Sequence, residues 1–293
     1  MKWENSEISP NIVFRTLCSV TGRNLKSLIE VSDQYLVYGG GGLPDQIIEI
    51  EKLTKNFGAI TAVNELGFSV ARGETVGLLG PNGAGKTTTI QMLLGLTKPT
   101  SGDIRFFNLN LQDSRRKILQ RINIASAYIS LPSNLTVYEN LNVFGKLYGI
   151  PTPRRKIGNL LDLLEIPQVI NQVTGALSSG QLTRLNLCKA FLNDPEILLL
   201  DEPTASLDPD IAEKVRLTLQ NVQQEHGVTM LYTSHNMREV ELMCDRVIFL
   251  SRGNIVAEGT PQEIVDNCQT ESLEEVFISL ARNGELKDFS ELE

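Results

Sequence analysis

Residues 80 to 87 constrain the fold of this chain more than any other segment. They read Gly-Pro-Asn-Gly-Ala-Gly-Lys-Thr and match the G-x-x-x-x-G-K-[ST] pattern at every specified position. The short apolar stretch 75–79 comes directly before them, and a helical pattern that includes Ile90, Leu93 and Leu94 follows. A strand, a glycine-rich turn and a helix in this order predict a phosphate-binding loop, in preference to a chance glycine-rich turn.

The residue types of this loop suit a nucleotide phosphate. Glycine has no Cβ, tolerates positive φ and allows backbone N–H groups to approach phosphate oxygens. Lys86 is placed to reach the β and γ phosphates, and Thr87 offers a hydroxyl to Mg²⁺ at the start of a helix whose dipole favours anions. We therefore expect ATP and Mg²⁺ as cofactors. The predicted nucleotide-binding residues here are Gly80, Pro81, Asn82, Gly83, Ala84, Gly85, Lys86, Thr87 and Thr88.

Two acidic residues follow a second apolar stretch. After a turn at residues 193–196, the run 197–200 has the length and composition of a buried strand, and Asp201 and Glu202 come directly after it. Open α/β sheets bind ligands at the carboxyl ends of their strands. Asp201 is a candidate to hold Mg²⁺ through water, and Glu202 a candidate to polarise the water that attacks the γ phosphate. Taken alone, the pair is equally compatible with solvated carboxylates that open a loop.

Residues 177–181 read Leu-Ser-Ser-Gly-Gln, and here the chain resembles the ATP-binding-cassette (ABC) family. The usual family signature is Leu-Ser-Gly-Gly-Gln, so Ser179 departs from it, whereas Ser178, Gly180 and Gln181 match. An apolar helical pattern follows, so Ser178 and the next N–H groups form a candidate anion site at a helix start. In the family, this site binds the γ phosphate of ATP held by the opposite subunit. The alternative, from the pentapeptide alone, is an ordinary serine N-cap.

Further motifs occur in the order and spacing of the family, and the resemblance runs from about residue 47 to 264. Asp208 matches the aspartate of the family's D-loop, which couples the two nucleotide sites across the dimer. His235, after an apolar strand pattern, matches the switch histidine that contacts the γ phosphate and orients Glu202. A neutral imidazole can donate or accept a hydrogen bond there without adding a full charge.

The adenine contact is expected near the start of the resemblance. Phe57 occupies the position at which family members stack an aromatic ring on adenine, and Val63 is expected to flank the same base. Stacking needs only an apolar aromatic face, so phenylalanine serves as well as tyrosine. The alternative for Phe57 is a core residue.

One family residue is missing. The family's Gln that helps ligate Mg²⁺ and links nucleotide state to the helical subdomain has no counterpart, and Ala127 stands at or beside its position. Ser126 or a water could replace it, since Mg²⁺ readily keeps several waters. We assign no metal ligand beyond Thr87 and Asp201.

Composition restricts the class of protein. A chain of 293 residues with 41% hydrophobic and 21% charged residues has enough apolar material for one large domain with extensions. A net charge of −8 argues against a nucleic-acid partner. The four cysteines are scattered without a C-x-x-C pair, as expected of core or helix residues in a reducing compartment. We find no run of the roughly 18 apolar residues that a spanning helix needs, and no secretory signal.

The resemblance also implies partners. It predicts a separate transmembrane permease subunit, with this chain in the cytoplasm as its ATPase, peripheral on the inner face of the cell membrane. The stretches 73–96, 233–241 and 258–261 resemble subunits of the exporter type. One phosphate loop and one signature per chain imply a second ATP-binding subunit, arranged head to tail as a homodimer. The alternatives are a soluble ABC protein not coupled to transport and a regulatory nucleotide-binding module with weak catalysis.

The expected fold class is α/β, namely the P-loop NTPase fold of ABC type with a mainly parallel sheet core and an inserted helical subdomain. The ATPase domain is predicted at residues 46–265, with the helical subdomain at about 106–185. Residues 1–45 are expected to be a flexible N-terminal extension or, alternatively, to add a helix that docks on a partner. Residues 266–293 are expected to be a helix and an acidic tail, the helix packing on the core or, alternatively, contacting another subunit.

Overall fold

A computed structural model describes residues 45–126, 130–205 and 207–283 of the chain. Residues 1–44 of the predicted N-terminal extension, the acidic tail after residue 283 and Ala127 lie outside the described residues.

One sheet is antiparallel and has four strands in the order β2-β1-β4-β5. Strands β1 and β2 form a long hairpin, whose turn uses Gly58 at φ +59°. Isoleucine and leucine side chains on one face of β1 are buried. The strands are β1 (Gln46–Phe57), β2 (Ile60–Ala71), β4 (Ser101–Phe106) and β5 (Leu109–Asn110).

The second sheet has six strands in the order β10-β9-β3-β8-β7-β6, all parallel to their neighbours except β10, which is antiparallel to β9. All five residues of β3 are buried, as expected for a strand covered on both faces. The mainly parallel α/β core predicted from the sequence is thus confirmed. The strands are β3 (Thr75–Leu79), β6 (Ile122–Ser126), β7 (Ile197–Asp201), β8 (Thr229–Thr233), β9 (Arg246–Ser251) and β10 (Asn254–Gly259).

The helices are α1 (Lys86–Leu93), α2 (Leu111–Leu119), α3 (Val137–Leu147), α4 (Arg154–Leu163), α5 (Ser179–Phe191), α6 (Pro209–His226), α7 (Met237–Met243), α8 (Pro261–Asn267) and α9 (Leu273–Asn283). Three of them, α3 to α5, lie between β6 and β7 in the chain. The stretch predicted as helical from about residue 106 also contains β6, which pairs with β7 in the parallel sheet. The helices α3 to α5 therefore follow β6, which is mostly buried and belongs to the sheet.

The parallel sheet separates two hydrophobic cores. Alternate residues of β7 point to opposite faces: Leu198 and Leu200 join the core that includes α3 to α5, whereas Ile197 and Leu199 join the core shared with the antiparallel sheet. The C-terminal helix α9 belongs to the first core and packs on α7 and α8. This two-sided burial fixes the carboxyl edge of the sheet, where the candidate site lies.

Within the described ranges, no helix has both the length and the apolar character needed to cross a bilayer.

Candidate nucleotide site

The loop between β3 and α1 adopts a backbone that requires glycine at two positions. Gly80 has φ +142°, and a Cβ there would lie 2.2 Å from the carbonyl oxygen of Leu250. Gly85 has φ +108°, and a Cβ there would lie 2.7 Å from the carbonyl oxygen of Ala62. Both distances are well inside van der Waals contact, and both φ values lie in the region that favours glycine. The loop is thus packed closely against β9 and β2.

Helix α1 begins directly after this loop, and no side chain caps its first turn. The first N–H groups of a helix have no intrahelical acceptor, and they carry the positive end of the helix dipole. Thr87 is exposed in this turn, and Thr88 is half-buried. Of the loop residues before them, Asn82 and Gly83 are exposed, whereas Ala84 is buried. This arrangement suits a bound phosphate group.

The ammonium group of Lys86 lies over the loop. Its Nζ donates to the carbonyl oxygens of Gly80 and Pro81, the second at 3.1 Å. Burial lowers the pKa of Lys86, and the negative charges of Glu202 and Asp201 oppose that shift. The two acidic residues are therefore close enough to interact electrostatically with this lysine, as the sequence motifs predict. A lysine at this position acts on phosphates as a point charge.

Asp201 ends β7 and is held by a hydroxyl group from the strand on each side. Ser126 Oγ on β6 donates to Asp201 Oδ2 at 3.0 Å, and Thr233 Oγ1 on β8 donates to Asp201 Oδ1 at 2.9 Å. The three residues are register partners across the parallel strands. Because a carboxylate offers about four acceptor sites, these two bonds orient Asp201 and leave capacity for a metal or its bound water. The Ser126 hydroxyl thus reaches Asp201, which we propose as the metal ligand.

Glu202 and His235 face each other beside Asp201. His235 Nε2 lies 3.3 Å from Glu202 Oε1, and the Glu202 side chain is only 11% exposed. Glu202 has φ +55°, and its N–H donates to the carbonyl oxygen of Thr233 at 3.1 Å. Burial raises the pKa of the Glu202 carboxyl, and the neighbouring His235 opposes that shift. A carboxyl group with a raised pKa beside an imidazole is suited to act as a general base.

The signature motif has a different local structure. Ser178 is the N-cap of α5: its Oγ accepts from the Gln181 N–H at 3.3 Å, and Gln181 Oε1 accepts from the Ser178 N–H at 3.0 Å. This is a capping box, so the serine N-cap considered from the sequence is present. Ser178 is also exposed, and Gly180 lies beside Leu207. Ser178 can therefore cap α5 and still be accessible to a ligand or a second subunit.

Asp208 is the N-cap residue of α6 but makes no side-chain hydrogen bond to that helix. Asp208 is exposed and directly follows Leu207, which lies beside Gly180 of the signature motif. The predicted D-loop and signature residues are thus close to one another on the surface.

The two residues predicted to contact adenine differ in exposure. Phe57 is 51% exposed at the end of β1, and Lys55 Nζ lies 4.9 Å from its ring centroid. Lys55 thus covers one face of the ring, and stacking of a base would use the exposed part of the side chain. Val63 is fully buried, and its Cγ2 would lie 3.4 Å from a Cβ placed on Gly85. Val63 therefore packs beneath the phosphate loop, and its contact with the base stays a prediction.

A buried polar cluster behind the site was not anticipated from the motifs. Glu239 on α7 accepts from Thr204 Oγ1 at 2.7 Å and from Ser234 Oγ at 3.2 Å. It links the loop after Glu202 to the loop that carries His235. The sequence does contain one indication of this cluster, because the spacing of Asn236 and Glu239 is typical of a helix start. In the structure, Asn236 Oδ1 accepts from the Glu239 N–H. Thr233 was also missed, although it ends an apolar strand as Asp201 does.

Comparisons with known proteins agree with this geometry. The family described as "ABC transporter" matches residues 63–205. Nod factor export ATP-binding protein I of Ralstonia nicotianae is 37% identical over 229 residues, which cover 78% of this chain and 70% of that protein. The probable multidrug ABC transporter ATP-binding protein YbhF of Escherichia coli is 36% identical over 258 residues, which cover 85% of this chain and 44% of that protein.

Solved structures with a similar fold are also ATP-binding cassettes of ABC transporters. An ATP-binding subunit of an ABC transporter superposes with a TM-score of 0.73 and 28% identity, covering 80% of this chain and 99% of that one. A dimeric bacterial ABC transporter cassette has a TM-score of 0.68 and 27% identity, with 73% and 98% covered. The same cassette in a post-hydrolysis state bound to ADP and phosphate has a TM-score of 0.67 and 26% identity, again with 73% and 98% covered.

Proposed function

The chain belongs to the ABC transporter family and is an ATP-binding ATPase subunit; from this premise we propose that ATP-driven dimerisation of the chain powers export through a separate transmembrane permease. The observation that carries the catalytic part is the contact of 3.3 Å between Glu202 Oε1 and His235 Nε2, beside the oriented carboxylate of Asp201. Lys86 completes this group, because its charge interacts with both acidic residues.

Binding of ATP would use the open start of α1. The first-turn N–H groups and the Lys86 ammonium would hold the phosphates, and the exposed Phe57 ring would stack on adenine. The residues present also suit Mg²⁺, a hard cation that prefers oxygen ligands: the Thr87 hydroxyl and the Asp201 carboxylate would hold it. When bound, Mg²⁺ would supply charge neutralisation to the phosphates.

Hydrolysis in this proposal depends on positioning. Phosphoryl transfer needs an oriented water and compensation of negative charge more than covalent participation by the protein. Glu202 would accept a hydrogen bond from the water and direct it toward the γ phosphate. The single N–H of a neutral His235 would donate to the Glu202 carboxylate in the absence of nucleotide and to the γ phosphate when ATP is bound.

Dimerisation supplies the second half of the site. The Ser178 hydroxyl and the start of α5 are at the surface, and the exposed Asp208 follows the Leu207 contact. We infer that the signature motif of one chain meets the phosphate loop of a second copy in a head-to-tail homodimer. The dimeric state of a cassette with the same fold supports this arrangement.

The remaining parts of the proposal rest on the relatives. Two of them carry export or multidrug transport in their names, which supports export as the direction. A permease partner would place this chain in the cytoplasm, peripheral on the inner membrane face. We further propose residues 46–265 as the ATPase domain, with the helical insertion at 137–191 directed to the permease.

Sedimentation of Glu202→Gln protein tests the proposal. This variant keeps the shape of the site but removes the base, so ATP addition should convert monomer to a stable dimer. Adding Ser178→Arg should abolish the shift and leave ATP binding to the monomer intact. Thr260→Arg is the matched control, because Thr260 closes a capping box at α8 as Ser178 does at α5 but belongs to none of the motifs proposed to form the interface.

The Glu202→Gln/Thr260→Arg protein should therefore still dimerise with ATP. If the Glu202→Gln/Ser178→Arg protein dimerises as well, the head-to-tail arrangement is wrong. A wild-type protein that binds ATP without turnover, alone and with its co-purified permease, would instead favour the regulatory module to which Ser179 and Ala127 point.

A further inference from the structure

The C-terminal helix α9 reaches the candidate catalytic histidine. The ring of Phe277 lies with its centroid 6.0 Å from that of His235, and the two ring planes meet at 73° in an edge-to-face arrangement. His235 thus contacts both the Glu202 carboxylate and an aromatic ring from a helix more than 40 residues further along the chain. Aromatic pairs favour this separation and this angle.

The helix that carries Phe277 is firmly anchored. Leu273, Val276 and Leu280 are each fully buried in the core shared with α7 and α8. With Phe277 they form the stripe of positions expected for one face of an amphipathic helix. Ile278, next to Phe277, is 39% exposed. The position of Phe277 is therefore set by packing, and the ring is not a mobile surface group.

His235 has more freedom than the residues around it. Its side chain is 49% exposed, whereas the Glu202 side chain that it faces is 11% exposed. A half-exposed imidazole samples several rotamers unless a neighbour restricts it. The edge-to-face contact with Phe277 is made in the same rotamer that places Nε2 3.3 Å from Glu202 Oε1, so it favours that rotamer.

We propose that Phe277 is a positioning residue for His235 and that α9 is thereby part of the catalytic apparatus. This inference rests on the function proposed above for His235. It assigns the C-terminal helix a role beyond packing, although the helix lies outside the matched family segment 63–205. Loss of one edge-to-face contact should lower the population of the productive rotamer and reduce kcat about 2- to 10-fold.

Kinetics of four variants test the role. Phe277→Ala and Phe277→Leu should reduce kcat about 2- to 10-fold with an unchanged KM for ATP, because neither offers an aromatic ring to His235. Phe277→Tyr should restore turnover. Ile278→Ala, on the same helix, should behave as wild type. Equal kcat values for Phe277→Ala and Ile278→Ala would overturn the inference, as would full turnover by Phe277→Leu.

The proton NMR spectrum reports the contact directly. The chain has two histidines, His226 and His235, and the His226→Gln variant assigns their imidazole C–H signals. Phe277→Leu should move the His235 signal through loss of the ring current and leave the His226 signal in place. An unmoved His235 signal would refute the contact.

Failure of this inference is distinguishable from failure of the proposed function. If His235→Ala abolishes turnover while Phe277→Ala has none of the expected effects, only the positioning role is wrong. If His235→Ala turns over ATP as wild type, the catalytic role of His235 is wrong and the positioning role is wrong with it.

Discussion

The phosphate loop and the signature motif are both glycine-containing segments that open a helix, but the structure completes them differently. At α1 no side chain caps the first turn, and the loop is held instead by close packing of Gly80 and Gly85. At α5 the Ser178 and Gln181 side chains satisfy the helix start within the chain. The N–H groups at the start of α1 are thus open to an anion. At α5, by contrast, the capping box supplies hydrogen bonds to the helix start, and Ser178 is exposed.

The surroundings of the two motifs differ in the same way. Lys86, Asp201 and Glu202 of one chain interact electrostatically at the phosphate loop. The signature motif has Leu207 as its neighbour, followed by the exposed Asp208. The proposed function therefore places the chemistry on the phosphate-loop side and has the signature motif act on the nucleotide of a second chain. Four predictions test this contrast, from the largest expected effect to the smallest.

The first prediction places the chemistry at Glu202. Glu202→Gln should lower ATP turnover about 100- to 10,000-fold, the usual loss when a general base is removed, with ATP affinity retained. Glu225→Gln, an exposed carboxylate on α6, is the control and should turn over normally. Steady-state kinetics and calorimetric titration measure the two quantities. Wild-type turnover by Glu202→Gln would show that Glu202 is not the general base.

The second prediction concerns binding by a single chain. Lys86→Ala removes the only cation of the loop, and hydrogen bonds to charged groups contribute about 1.5 to 3 kcal/mol. ATP affinity of the monomer should therefore fall about 10- to 100-fold in calorimetric titration. Lys117→Ala, an exposed lysine on α2, should leave it unchanged. Equal affinities for the two variants would mean that the loop is not the phosphate site.

The third prediction concerns the contact between the signature helix and the parallel sheet that carries the site. Lys189 on α5, the signature helix, is buried, and its Nζ donates to the Ile124 carbonyl oxygen on β6 at 2.9 Å. Burial lowers the pKa of Lys189 to about 8. The unfolded chain, with an ordinary lysine pKa of about 10.4, then binds more protons between these values, so this residue makes stability rise with pH in that window.

The Lys189→Met variant has no titratable group at this position. The unfolding free energy of the wild type relative to Lys189→Met should thus increase by roughly 2 kcal/mol between about pH 7.5 and about pH 10. Urea denaturation at both pH values measures it, and Lys117→Met provides the exposed control. A constant difference across the window would show that Lys189 is not a buried charge joining α5 to the sheet.

The fourth prediction has the smallest effect. Ser178→Ala removes the N-cap of α5 and should lower the unfolding free energy by about 1 kcal/mol. Thr260→Ala, in the capping box of α8, should cost about the same. Neither should alter ATP affinity of the monomer. Weaker ATP binding by monomeric Ser178→Ala would contradict the contrast, since the signature motif would then contribute within its own chain.

The sequence determined the parts of this protein that depend on neighbouring residues. The phosphate loop between β3 and α1, the acidic pair after β7 and the helix that starts at Ser178 all follow from local composition and periodicity. The parallel sheet follows as well, because short apolar runs alternate with helical patterns. Local patterns do not specify how far an insertion extends, and β6 falls inside the stretch assigned to helices.

Only the tertiary structure decided which distant residues meet. Ser126 and Thr233 reach Asp201 because β6 and β8 pair with β7 in one register, and the register of separate strands is a property of the assembled sheet. Val63 is buried because the phosphate loop packs over it. Phe277 reaches His235 because α9 docks on α7 and α8. Such contacts arise from strand order and helix docking, which no local pattern of residues encodes by itself.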